Sequence, residues 1–453
     1  MIKKIASKIG IDKAIAFTSS STLVGTLGSV ITVFLVVKYF TGVEQGFYYT
    51  FGSLIAIQIF FELGLNGIIT QYVAHEASNL KLENSDKLLG DPKYLSRISS
   101  LLHFSINWYV FFSFILLISL NIVGFIFFKR YDTSNGSVNW VLPWILLSFG
   151  TSLNLFISPI FSFIQGLGKV QDVAKIQLLL VLQRFLIIWL GLILGAKLFI
   201  VGLSSLICGA TSLVILLFKY HKLFINIWNT SITHRVNYYK EIFPYQWKVA
   251  ISWISGYFIF QLFNPVLFAT EGSVVAGQMG MTLSALTGIQ ALSFSWISTK
   301  IPLFSNLISQ KKYLELDNIF NKTAIQSAIV NVFALISMFF IIYVVRYYNF
   351  KISGKPLASR FLNYLPMFFM MIPIFTNQLV GFWATYLRCH KKEPFLFNSI
   401  VAGILSTLST IILGKYFGVI GITSGYCILS IIMLPWGYYI FITKKKEWHK
   451  VLQ

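Results

Sequence analysis

Long runs of apolar residues, each long enough to cross a bilayer, follow one another along the whole chain. A spanning helix needs about 20 mostly apolar residues. Apolar residues are continuous within the runs rather than alternating with polar ones, which predicts helices and argues against a transmembrane β-barrel. Twelve such runs occur, at 14–37, 46–70, 98–128, 140–164, 173–195, 199–219, 243–268, 274–299, 323–346, 361–387, 395–414 and 419–442.

The composition leaves no room for a water-soluble domain. Of the 453 residues, 56% are hydrophobic and only 11% are charged, whereas a soluble domain carries about 25% charged residues. We therefore predict an all-α polytopic membrane protein with about twelve transmembrane helices.

The distribution of charged residues predicts how the helices are oriented in the membrane. The chain has 36 Lys and Arg against 15 Asp and Glu, a net charge of +21. Most of these cations lie in alternate connections between the apolar runs, so we predict no nucleic-acid partner. Because cytoplasmic loops are enriched in Lys and Arg, the bias predicts that both termini are cytoplasmic. The run at 14–37 is too long for a signal peptide and lacks a cleavage site, so we interpret it as the first span.

The chain is predicted to form two halves of six helices each, at 1–220 and 243–453. The segment between them, 221–242, is rich in basic and aromatic residues and is typical of an amphipathic helix on the inner surface. Weak internal repetition supports the halves: Gly195, Gly202, Ser205 and Cys208 recur at the same spacing as Gly414, Gly421, Ser424 and Cys427, and Gly46 and Ser53 recur as Gly277 and Ser284. Repeats of this kind are how many transporters are built.

Arg184 is the most informative residue, because it lies near the middle of an apolar run. A fixed cation at bilayer depth costs roughly 2.5–3.5 kcal/mol on the insertion scale. Such a residue usually faces a polar cavity or an anionic ligand. Gln177 lies seven residues earlier and therefore on the same face of a helix, two turns away.

Other amides lie inside the runs, most of them close to prolines. They are Gln261 and Asn264 beside Pro265, Asn154 before Pro159, and Asn377 after Pro373; Gln290 lies inside the eighth run without a proline nearby. Helices interrupted by proline and lined with amides are typical of a hydrated cavity in a transporter. The alternative is that each amide makes a hydrogen bond between helices, worth about 0.6 kcal/mol on average.

Glu62 is the carboxylate placed well inside a run. Buried carboxylates have raised pKa values, so it is a candidate for coupling transport to protons or cations. The alternative is an interfacial salt bridge to a loop cation.

Residue patterns typical of an enzyme are missing. The six histidines show no metal-ligand spacing, and no glycine-rich phosphate loop precedes a Lys-Ser/Thr pair. We predict no catalytic residues, no metal and no cofactor.

Four segments resemble the bacterial polysaccharide exporters, in particular O-antigen flippases of the Wzx type in the MOP superfamily. They read GFYYTFGSL at 46–54, FELGL at 61–65, QYVAHE at 71–76 and GLGK at 166–169. The resemblance implies a MATE-like fold, with two six-helix bundles around a central cavity in the bacterial inner membrane. It also implies that the chain moves an undecaprenyl-pyrophosphate-linked oligosaccharide from the cytoplasmic to the outer leaflet, for lipopolysaccharide biosynthesis.

The same resemblance implies a cationic cavity, for which Arg184 is this chain's candidate. Its implied partners are the lipid-linked oligosaccharide, the lipid bilayer and other membrane proteins of polysaccharide assembly. Two alternatives stay open. The first is a MATE-type exporter of drugs or organic cations, and the second is a membrane enzyme such as an O-antigen polymerase or ligase. The short outer loops argue against the enzyme, because such enzymes carry a large outer loop with reactive residues.

Overall fold

A computed structural model describes residues 13–83, 86–132, 136–390 and 392–450. The predicted inner cations Lys3, Lys4, Lys8 and Lys391 lie outside the described residues. Helices cover the twelve predicted runs, and the all-α polytopic fold class is confirmed.

Contacts divide the chain into two compact units. Unit 1 comprises Met1–Gly28, Leu54–Arg130 and Gly136–Ile254, and unit 2 comprises Ser29–Ser53, Tyr131–Asn135 and Ser255–Gln453. The predicted halves, 1–220 and 243–453, had instead kept 29–53 with the first half and 243–254 with the second.

The described residues of the first part of the chain form eight α-helices and one β-hairpin. A short 3₁₀ turn follows the second of these helices. They are α1 (Lys13–Tyr39), α2 (Gly42–Ile55), the 3₁₀ turn Ala56–Gln58, α3 (Ile59–Glu62), α4 (Leu65–Ala77), β1 (Leu80–Glu83), β2 (Lys87–Gly90), α5 (Pro92–Tyr131), α6 (Val141–Gly166), α7 (Val170–Ile193) and α8 (Phe199–Trp228). The two strands pair in antiparallel register, with Leu80 opposite Gly90.

The rest of the chain opens with a single π-helical turn. Its elements are the π-helix Tyr238–Ile242, α9 (Phe243–Phe260), α10 (Phe263–Thr270), α11 (Ser273–Ser298), α12 (Ile301–Ser309), α13 (Tyr313–Tyr347), β3 (Lys351–Ile352), β4 (Lys355–Pro356), the 3₁₀ turn Ala358–Arg360, α14 (Tyr364–Arg388) and α15 (Leu396–Lys450).

Nine helices in the described part of the chain are long and apolar enough to span a membrane, or ten if the bent pair Gly42–Glu62 and Leu65–Ala77 forms one span. α15 is 55 residues long and contains a non-helical residue, Gly418. At 1.5 Å per residue it is far longer than the hydrocarbon core, so it supplies two spans. α11 has the length of a span but is rich in Ser, Thr and Gly, as its run in the sequence indicated.

One face of α13 shows why these helices need lipid. Ile329, Phe333, Ile336 and Phe340 follow each other at intervals of three or four residues and are 60–72% exposed. An exposed apolar stripe of this size is unfavourable in water and suits hydrocarbon.

The predicted surface helix at 221–242 is not formed. α8 continues to Trp228, an irregular stretch follows, and the π-helical turn leads directly into α9. Two serines of α5 hold the irregular stretch: Ser96 accepts hydrogen bonds from the backbone N–H groups of Thr233 and His234 (both 2.8 Å), and Ser100 accepts one from Val236. These bonds satisfy backbone groups that a helix would have paired internally.

A buried polar cluster in unit 2 fixes the loop before α14. The guanidinium of Arg360 donates to the carbonyl oxygen of Phe40 (2.7 Å), and the side chain of Gln45 donates to the carbonyl oxygens of Gly277 (2.8 Å) and Arg360 (3.1 Å). Burial lowers the pKa of Arg360, and the nearby carboxylate of Glu44 partly offsets this shift. This cluster is one reason why 29–53 groups with unit 2.

Candidate functional site

A cavity of about 480 Å³ lies inside unit 2, within the size range of small-molecule sites. Four of the amides predicted from the sequence line it: Gln261, Asn264, Gln290 and Asn377. They come from α10 and the break before it, from α11 and from α14, so residues far apart in sequence converge here. Hydroxyl groups of Ser53, Ser284 and Thr287 and the aromatic rings of Tyr49, Phe260, Phe263 and Tyr426 complete most of the lining.

A broken helix positions two of these amides. α9 ends at Phe260 and α10 begins at Phe263, so Gln261 lies in the break. Pro265 has no N–H with which to bond the carbonyl of Gln261 four residues earlier, which is why a continuous helix is disfavoured there. Neighbouring protein rather than lipid must surround such a break.

Asn264 is 94% buried, since its relative exposure is 6%. Its side-chain nitrogen donates to the hydroxyl of Ser53 at 3.1 Å. Its side-chain oxygen is buried and has no hydrogen-bond partner among the described residues. An unpaired buried acceptor of this kind costs about 1–3 kcal/mol.

Asn377 and Tyr426 form a second polar pair in the lining. The side-chain nitrogen of Asn377 donates to the hydroxyl of Tyr426 at 2.8 Å. The ring of Tyr426 packs on Phe263, with 4.9 Å between ring centroids. α14 carries Pro373 in its interior, four residues before Asn377, so a proline again stands beside the amide.

No Asp, Glu, Lys or Arg of the described ranges lines this cavity. It offers neutral hydrogen-bonding groups and aromatic surface. Neither a diphosphate nor an organic cation finds a counter-charge in it.

Arg184 belongs to unit 1 and is not among the cavity residues. In α7 the residues Leu179, Leu182, Leu186, Leu190 and Ile193 form an exposed stripe, each 44–58% exposed. Arg184 and Gln177 are also exposed, but at 100° per residue they lie on roughly the opposite face of the helix. If the leucine stripe faces lipid, the guanidinium does not.

Arg184 contacts an aromatic ring. Its guanidinium carbon lies 5.3 Å from the centroid of the Phe185 ring. No ion pair of Arg184 with a carboxylate occurs in the part of the chain that the structure describes.

Asn154 makes a hydrogen bond between helices, which is the alternative role that the sequence left open for these amides. Its side-chain nitrogen donates to the carbonyl oxygens of Gly150 (2.7 Å) and Ser205 (3.2 Å) in unit 1. It therefore links α6 to α8 and is not part of the cavity of unit 2.

Glu62 lies at a second broken helix, in unit 1. α3 ends at Glu62, Leu63 (φ 50°) and Gly64 (φ 66°) both adopt left-handed backbone conformations, and α4 begins at Leu65. The side-chain nitrogen of Asn66 donates to the Glu62 carboxylate at 2.7 Å. The oxygen of that amide accepts a hydrogen bond from the Tyr109 hydroxyl at 2.9 Å. The carboxylate is bound to a neutral amide, and among the residues that the structure describes it forms no ion pair with a loop cation.

The sequence reasoning missed Tyr49, Tyr426 and Asn66. Asn66 stands four residues after Glu62, a spacing that brings two side chains together on a helix and that could have indicated it. Tyr49 lies so close to α11 that a Cβ on Gly280 would overlap its side chain; only contact information reveals this. Among the described residues, no group of three or more His, Cys, Asp or Glu is placed to hold a metal ion.

Comparison with known proteins identifies the fold. No protein-family model and no curated protein sequence matches the chain. Solved structures do match over nearly its whole length. An inward-facing multidrug resistance MATE family transporter of the MOP superfamily aligns with a TM-score of 0.61 and 12% identity, over 93% of this chain and 99% of that chain.

The chain shares its fold with this transporter. The MATE multidrug transporter DinF-BH, solved as a complex, aligns with a TM-score of 0.56 and 13% identity over 96% of each chain. The lipid II flippase MurJ in an inward closed conformation aligns with a TM-score of 0.52 and 17% identity, over 94% of this chain and 87% of that one. At these identities the likeness establishes the MATE-like fold, and the cargo has to be argued from the residues.

Proposed function

We propose that the protein flips an undecaprenyl-pyrophosphate-linked O-antigen repeat unit from the cytoplasmic to the outer leaflet of a bacterial inner membrane. The observation that carries the proposal is Arg184, an exposed guanidinium inside a spanning helix, opposite its leucine stripe and without an acidic partner among the described residues. A diphosphate is the natural ligand of such a group, because guanidinium–phosphate hydrogen bonds are charge-assisted and frequently bidentate.

The polar and charged head group of this cargo explains the rest of the proposal. A glycan head and a diphosphate cannot cross hydrocarbon, because removing a charge from water without compensation is prohibitive. Arg184 neutralises part of the diphosphate charge, amides bind sugar hydroxyls, and the lipid tail remains in the bilayer. Alternating access of the site to the two sides then moves the head across. The shared fold with a lipid II flippase supports this type of cargo.

Energy for the cycle is proposed to come from an ion gradient through Glu62. Its carboxylate lies at a helix break and is bound to a neutral amide, so protonation or cation binding would change the charge of unit 1 inside the membrane. As partners we propose the lipid-linked oligosaccharide, the bilayer and other membrane proteins of polysaccharide assembly.

Substitution of Arg184 tests the proposal. Cells in which Arg184→Ala replaces the native protein at equal membrane level are expected to lose most surface O-antigen, with partial recovery in Arg184→Lys. The matched control is Lys175→Ala, which removes an exposed cation from the same helix on the side of the leucine stripe. Normal O-antigen in Arg184→Ala cells would overturn the assignment.

A MATE-type exporter of organic cations is the second candidate. The fold shared with multidrug transporters and the membrane-embedded carboxylate of Glu62 favour it. Deleting the protein separates the two: loss of surface polysaccharide with unchanged drug susceptibility supports the flippase, and increased drug susceptibility with normal polysaccharide supports the exporter.

A further inference from the structure

We propose that the cavity of unit 2 binds an uncharged sugar ring of the cargo and selects against sugars that carry a carboxylate. The inference rests on the proposed function and adds to it the class of sugar. In this proposal two parts of the cargo bind to different residues. Arg184 of unit 1 binds the diphosphate, and the neutral cavity of unit 2 binds a sugar of the glycan.

The uncharged lining is the first argument. A carboxylate or phosphate in this cavity would lose its hydration and gain no counter-charge from any lining residue of the described chain, which is strongly unfavourable. An organic cation would find aromatic rings but no carboxylate among these lining residues, so cation–π contacts would be its main compensation. The cavity therefore favours a neutral ligand.

The placement of polar groups is the second argument. Gln261, Asn264, Gln290 and Asn377 each present an amide, which both donates and accepts hydrogen bonds, and a sugar hydroxyl does the same. The side-chain amide of Gln290 is only weakly hydrogen-bonded, because its bond to the carbonyl oxygen of Ile374 is long, at 3.5 Å. Asn264 contributes less, because its side-chain oxygen is buried away from the cavity space and its side-chain nitrogen is bound to Ser53.

The aromatic rings are the third argument. A pyranose ring has apolar faces made of C–H groups and a rim of hydroxyls, so it suits a site that combines flat apolar surfaces with neutral polar groups. Tyr49 and Tyr426 provide such surfaces, and their own hydroxyls add polar ends. The hydrogen bond from Asn377 fixes the hydroxyl of Tyr426.

Binding of simple sugars tests the proposal directly. The full chain in lipid nanodiscs is studied by saturation-transfer difference NMR with methyl glucopyranoside, methyl glucuronide and tetraethylammonium as separate probes. We expect saturable binding of the glucopyranoside, and binding of the other two that is weaker by about tenfold or more. Gln290→Leu and Tyr426→Phe are each expected to weaken glucopyranoside binding by up to about tenfold, the effect of one lost net hydrogen bond.

Two further variants control the experiment. Gln310→Leu makes the same chemical change at an exposed amide outside the cavity and is expected to leave binding unchanged. Gln290→Lys supplies a cation and is expected to reverse the preference toward the glucuronide. Equal binding of all three probes, unchanged binding in Gln290→Leu, or competition by tetraethylammonium at similar concentration would each overturn the proposal.

The outcome for this site can be told apart from that of the proposed function. If the cavity does not select neutral sugars but Arg184→Ala cells lose O-antigen, the flippase stands and the site is elsewhere. If the cavity selects neutral sugars but cells lacking the protein make normal O-antigen, the cargo is a different glycan and the flippase proposal fails.

Discussion

Gly46 of α2 and Gly277 of α11 pack backbone against backbone in unit 2. A Cβ on Gly277 would lie 2.8 Å from the backbone nitrogen of Gly46, and one on Gly46 would overlap the carbonyl oxygen of Ser273. Small residues allow helices in membranes to approach this closely. The sequence had paired these two glycines as repeat equivalents, and Ser53 and Ser284, the second repeat pair, both line the cavity.

The close approach predicts that Gly277→Ala destabilises the protein by about 1–3 kcal/mol, the usual effect of overpacking. Thermal unfolding in detergent, followed by the amount of monodisperse protein after heating, measures it. Gly288→Ala is a matched control in the same helix, because a Cβ there would meet no atom within 4 Å. It should be neutral or mildly stabilising. Equal unfolding temperatures for the two variants would contradict the packing described here.

Arg360 is expected to stabilise the loop before α14. Arg360→Met removes the donor that lies 2.7 Å from the carbonyl oxygen of Phe40. That oxygen keeps the Lys355 ammonium as a donor at 2.9 Å, so the expected cost is that of one lost hydrogen bond to a charged group, about 1.5–3 kcal/mol. A lower unfolding temperature in the same assay would show this. Lys351→Met, at an exposed cation in the same loop, should have little effect. A similar loss of stability in both variants would contradict a specific role of the Arg360 guanidinium.

A pH dependence is expected from Glu241. Partial burial alone would raise the pKa of Glu241, but hydrogen bonds from Arg97 (2.6 Å) and from the backbone N–H of Asn237 (2.8 Å) outweigh it, so the pKa lies below the ordinary value of 4.5. A pKa that is lower in the folded than in the unfolded state contributes stability above the unfolded pKa, and that stability is lost as the pH falls through the folded pKa.

The measurement compares the unfolding temperature of wild type with that of Glu241→Gln between pH 7 and pH 3. Wild type should be more stable at pH 7, and the difference should shrink as the pH falls below about 4.5. Glu83→Gln, at an exposed carboxylate of the β-hairpin, should show no such convergence. A difference that stays constant with pH would argue against the ion pair.

Glu62→Gln is expected to uncouple transport from the ion gradient while preserving the fold, because a glutamine oxygen still accepts the hydrogen bond from Asn66. Surface polysaccharide should fall by an order of magnitude or more at equal protein level, as for loss of an essential acid–base group. Glu315→Gln, at an exposed carboxylate of α13, serves as the control. Unchanged polysaccharide in Glu62→Gln cells would remove Glu62 from coupling.

Hydropathy predicted the helices well, because a span must be apolar along about 20 residues whatever its neighbours are. The amides inside the apolar runs were also informative: Gln261, Asn264, Gln290 and Asn377 converge on one cavity. Three of them, Gln261, Asn264 and Asn377, stand near prolines that weaken the helical hydrogen bonds, a local effect that a sequence displays.

Properties that depend on packing could not be predicted in this way. The grouping of 29–53 with unit 2 depends on contacts of Gly46 and Arg360 with residues more than 200 positions away. The break at Leu63 and Gly64 lies within an apolar run, where hydropathy does not report backbone conformation. Asn154 and Gln290 looked alike in sequence, yet one bridges two helices and the other lines the cavity.

Gly418 allows α15 to change direction part-way along its length. Its φ is 56°, a Cβ on it would overlap the Glu271 carboxylate, and that carboxylate accepts the backbone N–H of Val419 at 2.7 Å. Without this reversal, α15 would be a rod about 80 Å long, and the lysines at its far end would be stranded beyond the opposite leaflet. The position of the lysines at the end of α15 thus depends on a glycine, a residue with no side chain.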